Sequence, residues 1–148
     1  MISQKAKYAL RALIALSRTY PGDDIQVISE IAEEQRIPRK FLEQILLDLK
    51  HHGIVTSRRG KAGGYMLLKS PAAITFGEVL RIVDGPIAPL PCLSRMAYRR
   101  CEDCHDEESC EVRRVFARVA DATRRVLDGT TIADCIDGSN QEIHVHVA

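Results

Sequence analysis

The sequence predicts a mainly α chain carrying one small two-stranded β unit. Two observations carry that prediction. Apolar residues recur at three- and four-residue steps in several separate stretches, the period of an amphipathic helix. Between them lie two short β-rich runs, joined by the glycine-bearing segment Arg59-Gly60-Lys61-Ala62-Gly63-Gly64. With 148 residues, 45% of them apolar, the chain is large enough for one or two small domains with a real core. It is neither disordered nor collagen-like.

The elements follow in order. Residues 4–20 place Ala6, Ala9, Leu10, Leu13, Leu16 and Tyr20 on one helical face, and Pro21-Gly22-Asp23-Asp24 ends that helix. A short helix is expected from about Ser29, a candidate N-cap, with Ile28, Ile31 and Ala32 inward. Pro38 starts a third, because the N–H that proline lacks has no intrahelical acceptor at that position. This helix is expected to bury Phe41, Leu42, Ile45, Leu46 and Leu49 and to stop at His51-His52-Gly53. Residues 54–58 and 65–69 then read as strands, and Pro71 closes the hairpin.

Thr75-Phe76-Gly77-Glu78 is a capping-box pattern ahead of Val79, Leu80, Ile82 and Val83, and Asp84-Gly85-Pro86 ends the helix. The proline-rich stretch 86–91 should be extended. The longest helix is expected at about 111–128, with Val112, Val115, Phe116, Val119, Thr123, Val126 and Leu127 forming a stripe suited to helix–helix packing. Such a stripe can meet a second subunit or its own domain. Gly129 stops the helix, Thr131-x-x-Asp134 caps a short final turn, and a flexible polar tail is expected at 137–148.

Charge divides the chain. Residues 1–75 carry 12 Lys and Arg against 7 Asp and Glu, whereas residues 76–148 carry 9 against 13. An anionic partner is therefore expected for the first half. No run approaches the ~20 apolar residues of a membrane span, and Met1-Ile2-Ser3-Gln4-Lys5 opens no signal-peptide pattern. A cytoplasmic protein without a membrane partner is expected.

Three helices followed by a basic hairpin describe a winged helix-turn-helix. Once its apolar side is buried, the third helix turns Arg39, Lys40, Glu43 and Gln44, with Leu47, outward. Arg and Lys suit guanine acceptors, Gln suits adenine, and Glu can accept from cytosine. Arg58, Arg59, Gly60 and Lys61 form the wing, whose basic side chains can meet phosphates or enter a narrow minor groove. The domain boundaries read as 1–84 for DNA binding, 85–110 for a cysteine-bearing sensor loop, and 111–136 for a dimerisation helix with its final turn.

The five cysteines are an odd number, and four lie together as Cys92-x8-Cys101-x2-Cys104-x5-Cys110. In a reducing compartment such a cluster favours a metal or redox role over a disulfide framework. Four thiolates can hold a [2Fe–2S] or [4Fe–4S] iron–sulfur cluster, and His105 can replace one of them; they equally suit tetrahedral zinc. Five surrounding acids (Glu102, Asp103, Asp106, Glu107 and Glu108) disfavour a bare thiolate. Cys135 stands apart and is expected in the core. His51 and His52 read as a helix end, and His144 and His146 as part of the tail.

The segments Ala6-Lys7-Tyr8-Ala9-Leu10, Phe41-Leu42-Glu43-Gln44-Ile45-Leu46, Arg59-Gly60-Lys61-Ala62-Gly63-Gly64-Tyr65 and Ile74-Thr75-Phe76-Gly77-Glu78-Val79 occur in that order, ahead of a cysteine loop and a long helix. Over residues 1–135 this resembles the Rrf-two family of bacterial winged helix-turn-helix regulators (IscR-, NsrR- and CymR-like). The resemblance implies a homodimeric repressor on a palindromic double-stranded operator, its long helix crossing to the partner. It also implies Glu43 and Gln44 near bases and Arg59 in the wing. Cluster-binding members use three loop cysteines. Cys104 and Cys110 are similar to the second and third of these, and Cys92 resembles the first at a longer spacing. Arg113 stands where some members carry a histidine ligand, and Tyr8 where others carry an acid.

The function expected is thus a dimeric DNA-binding regulator modulated by an iron–sulfur cluster on Cys92, Cys101, Cys104 and Cys110. The alternative is a metal-free repressor controlled by a metabolite of sulfur metabolism or by thiol oxidation. An enzyme is not expected, because Cys101-x2-Cys104 lacks the βαβ setting of a dithiol oxidoreductase.

Overall fold

The computed structural model describes residues 2–22 and 24–136. The expected tail from Asp137 onward, with His144 and His146, lies outside the described residues.

Helix α1 spans Gln4–Ser17; the Ser3 hydroxyl caps it by accepting the Ala6 N–H at 3.0 Å. It ends short of the expected Tyr20. The Arg18 N–H turns back to the Ala15 carbonyl, and the Ser17 and Thr19 hydroxyls occupy the carbonyls of Ile14 and Leu16 at 2.6 and 3.1 Å. Such local bonds compete with the helical ladder. Helix α2 covers Ile28–Gln35, so Ser29 lies inside it and the N-cap is Val27, with no side-chain bond. The cause is long-range. Gln26 exchanges two 2.9 Å backbone bonds with Tyr65, which holds the chain extended up to the first turn.

Arg36 closes α2 in the left-handed region (φ 51°), and buried Ile37 plugs the turn into α3, Arg39–His51. Leu42, Ile45, Leu46 and Leu49 are fully buried. Phe41 is not. It is 42% exposed and meets Tyr8 edge to face, ring centroids 5.8 Å apart. One step before Leu42, it falls at the margin of the buried stripe, about 100° round the helix.

The sheet pairs β1 (Val55–Arg58) with β2 (Gly64–Leu67) antiparallel, Val55 opposite Leu67 and Arg58 opposite Gly64. Both strands are shorter than expected, and Leu68 is exposed beyond the last pair. Gly64 is required: a Cβ there would run into the Gln26 carbonyl and the Ile25 side chain.

Helix α4 is Phe76–Val83, capped as expected by Thr75, whose Oγ1 accepts the Glu78 N–H at 3.1 Å. The proline stretch leads through a short 3-10 turn at Pro91–Leu93 into the cysteine loop, and α5 runs Glu111–Gly129. The chain then returns. The Phe76 N–H donates to Thr130 and the Ile132 N–H to Ile74, each at 2.9 Å, and Ile132 is fully buried with Ile74 and Val79. One core therefore joins α1, α3, β1, α4 and the segment after α5. Burial of that cluster, rather than any single polar bond, is the dominant stabilising term.

Candidate nucleic-acid interface and cysteine loop

The turn Gln35-Arg36-Ile37-Pro38 sets α3 against α2, and Arg11 of α1 braces it by donating to the Gln35 carbonyl. With its apolar side in the core, α3 leaves Arg39, Lys40, Glu43, Gln44 and Leu47 exposed, as the periodicity required. Arg39 pairs with Glu43 at 3.1 Å, and Gln44 donates to Asp48 at 3.0 Å. Asp48 also accepts from Lys5 at 2.7 Å, which ties α3 to α1 and holds its carboxyl below the usual range. At exposed sites such as Arg39 and Glu43 an i,i+4 pair is worth only a few tenths of a kcal/mol, ~0.3–0.5. It therefore exchanges readily for a contact with a base or phosphate.

Arg58, Arg59, Gly60 and Lys61 are all exposed at the hairpin tip. Gly60 sits at φ 110°, a backbone conformation L side chains rarely adopt. Lys50, in the last turn of α3, donates to Ser57 at 2.6 Å and fixes the hairpin to that helix. Basic wing and polar helix face thus belong to one rigid unit.

The cysteine loop has its own internal scaffold. Cys92 is buried, and Cys101, Cys104 and Cys110 are half-buried. Burial pushes the Cys101 thiol up, reinforced by the neighbouring Cys92 and then Cys104 and Asp103, so these groups sit within electrostatic reach of one another. Arg100 donates to the Cys104 and His105 carbonyls at 3.0 and 2.9 Å. The Ser109 hydroxyl, followed by the Glu108 and Ser109 N–H groups that Asp106 accepts, lowers the Asp106 pKa. The Tyr98 hydroxyl donates to Glu107 at 2.6 Å. Two of the five acids are therefore engaged in holding the loop. The parts played by Tyr98 and Arg100 escaped the sequence reading, which had no pattern to tie them to the cysteines.

The donor set suits an anionic iron–sulfur cluster in its chemistry. Arg113 Nε is buried without a hydrogen-bond partner among the described residues, 3.6 Å from Glu107 Oε2. Its own N–H meets the Cys110 sulfur at 3.4 Å. That nitrogen, ion-paired with Glu107 but without a hydrogen bond, stands on the first turn beyond the last cysteine and has a donor left for an added acceptor. Among the described residues no group of three or more His, Cys, Asp or Glu is gathered to hold a metal ion, so the structure does not bring Cys92, Cys101, Cys104 and Cys110 together as one ligand set. Cys135 is half-buried rather than fully in the core, and burial pushes its thiol up. His51 ends α3 and His52 caps it, as expected.

Cys110 is also the N-cap of α5. Of that helix only Ala120 is buried, whereas Val112, Val115, Phe116, Val119 and Val126 are 39–63% exposed. Beside this stripe lies an apolar groove of about 530 Å³, walled by Ile2, Leu10, Phe76, Leu80, Val119 and Leu127. Among the described residues no helix is long and apolar enough to cross a membrane.

Comparison with known proteins agrees with this architecture. Residues 2–138 match the Rrf2 family, described as an iron-dependent transcriptional regulator. An rrf2-like protein of Rhodobacter capsulatus is 49% identical over 142 residues, 95% of each chain. The transcriptional regulator CymR of Bacillus subtilis is 35% identical across 90% of this chain and 87% of its own. Its solved structure, described as that of the global cysteine regulator, superposes with a TM-score of 0.76 at 33% identity, covering 93% of this chain and 97% of that one. T. potens IscR superposes with a TM-score of 0.73 at 26% identity, over 95% and 89%. Helix-turn-helix, basic wing, cysteine loop and long final helix are thus those of a DNA-binding transcriptional regulator and not of an enzyme, and the chain belongs to the Rrf2 family.

Proposed function

We propose that the chain is a homodimeric repressor that reads a two-fold symmetric operator and whose affinity for it is set by an iron–sulfur cluster in the cysteine loop. The observation that carries this reading is Cys110. It is at once a candidate ligand and the N-cap of α5, so a change at its sulfur acts directly on the helix that would join the subunits.

Cys92, Cys101, Cys104 and Cys110 would hold the cluster, which supplies a redox- and oxygen-sensitive state to the loop when bound. Arg113 would balance the charge. The exposed stripe of α5 is covered by a second copy, which sets two α3 helices about one DNA turn apart for successive major grooves. Arg39, Lys40, Glu43 and Gln44 approach the bases, while Arg58, Arg59, Gly60 and Lys61 meet the phosphates or the minor groove. Re-angling α5 changes the spacing of the reading helices and hence the affinity.

Anaerobic purification followed by absorption spectroscopy and iron and acid-labile sulfide analysis tests the cofactor. Iron and sulfide in stoichiometric amounts are expected; zinc alone, or no metal, overturns it. A second reading is supported by the similarity to a cysteine regulator and by the proximity of Cys92 to Cys101. There the protein is metal-free, and thiol oxidation or a sulfur metabolite controls it. It predicts a colourless protein whose operator affinity changes with that treatment alone.

A further inference from the structure

Between α4, α5 and the segment leading from Pro86 into the cysteine loop lies a second, smaller cavity of about 270 Å³. Its walls carry three guanidinium groups: Arg81 from α4, Arg95 from the loop and Arg124 from α5. A single carboxylate, Asp128, faces them. This concentration of positive charge runs against its surroundings, since residues 76–148 hold more acids than bases, 13 against 9. Like charges lining one cavity repel each other, and the repulsion is relieved by an anion placed among them.

The present pairing leaves one of the three guanidiniums unmatched. Arg81 is held by Asp128 at 2.6 Å, and Arg124 by Asp121 at 2.5 Å; Asp121 does not line the cavity. Arg95 makes no hydrogen bond or ion pair among the described residues. The Arg81–Asp128 pair is also a clamp. A Cβ at Gly77 would overlap the Asp128 carboxylate, so the last turn of α5 rests directly on the backbone of α4.

We propose that this cavity binds a small organic acid bearing at least two carboxylates, with Arg81, Arg95 and Arg124 as its anion-holding groups. Arg81 and Arg124 can each exchange a present carboxylate for a ligand's, while Arg95 has none to give up, so an acid with two carboxylates can bridge Arg95 and one of the other two. The planar guanidinium takes a carboxylate through two parallel N–H donors, a geometry a spherical anion does not exploit. The volume lies just under the ~300–1,000 Å³ of common ligand pockets, which restricts the occupant to a small metabolite. A bound acid competes with Asp128 for Arg81 and so loosens the α4–α5 clamp. The winged domain and α5 thereby gain a control point separate from the cysteines.

The test uses the full-length chain without DNA, so its failure leaves the regulator reading untouched. Succinate and citrate are titrated calorimetrically in about 150 mM KCl, where loose surface attraction is screened. Acetate and inorganic phosphate serve as comparison arms. Saturable binding of succinate or citrate, one per chain, is expected, with acetate and phosphate at least tenfold weaker. Arg95→Gln removes an exposed, unpaired side chain and should weaken binding about tenfold or more, the scale of one lost charge-assisted bond. Asp128→Asn should tighten it by freeing Arg81. No saturable binding of either acid, equal binding of phosphate, or affinity unchanged in Arg95→Gln overturns the proposal.

Discussion

Helices α3 and α5 leave opposite surfaces in water. Helix α3 buries Leu42, Ile45, Leu46 and Leu49 inside its own domain and presents Arg39, Lys40, Glu43 and Gln44. Helix α5, six residues longer (19 against 13), buries one alanine and presents a row of valines and Phe116. The first is finished as a packing unit and is free to address an anionic, hydrogen-bonding partner. The second has a seam and no cover, which is the state of one half of a helix–helix interface. On the proposed function, DNA reading and assembly are separated along the chain, with the cysteine loop between them.

The sharpest way to break this contrast is to charge the seam. Val115→Glu with Val119→Glu should raise the dimer dissociation constant about a thousandfold or more, because each unpaired carboxylate is buried twice by symmetry. Sedimentation equilibrium reads the change, and an unaltered circular dichroism spectrum shows that each domain still folds. Next in size, Ile45→Ala should cost about 3 kcal/mol in urea unfolding, the cavity penalty of a finished core. Val126→Ala should cost under ~0.5 kcal/mol when the subunits are dissociated by dilution.

On the reading side, Gln44→Ala should lose about 1–3 kcal/mol of operator affinity and relax specificity at one position. Arg59→Ala should weaken all sequences alike and lower the salt slope by about one. Operators selected from random DNA and titrated at several salt concentrations separate the two. Smaller still, Thr75→Ala should cost about 1 kcal/mol, whereas Ser29→Ala, inside α2 and not its cap, should stay within ~0.5 kcal/mol.

The smallest effect is the pH dependence of the bond between α1 and α3. Lys5 depresses the Asp48 pKa in the folded state. Its stabilisation is therefore present above the unfolded carboxyl value of ~3.9 and disappears as pH falls through the lower folded value. The stability advantage over Asp48→Asn should shrink as pH is lowered below about 4. An advantage independent of pH would assign Asp48 no ionic role.

What could be read in advance was what local pattern controls. Leu42, Ile45, Leu46 and Leu49 announced their burial by spacing, and Thr75 with Glu78 announced a cap. Gly60 and Gly64 marked the hairpin. The exceptions arise where a distant segment intervenes. Val27 replaces Ser29 at the start of α2 because Tyr65 holds Gln26 extended, a pairing that no local pattern signals. Phe41 sits at the border of a stripe, where hydropathy gives no sign of which side it will take. The return of Ile132 to Ile74 and the Arg81–Asp128 clamp join residues 58 and 47 positions apart, beyond any periodicity. In the cysteine loop the spacing nominated Cys92, Cys101, Cys104 and Cys110. The scaffold around them, from Tyr98, Arg100, Asp106 and Arg113, rests on contacts that no motif records.

The central claim is that the state of the cysteine loop governs DNA affinity through α5. Its most direct test is the operator affinity of a single anaerobic preparation, measured by fluorescence anisotropy before and after the cluster is removed by chelation, with the protein held above its dimer dissociation constant. The account predicts a change of tenfold or more, abolished in Cys110→Ala. Equal affinity of the two forms would contradict it.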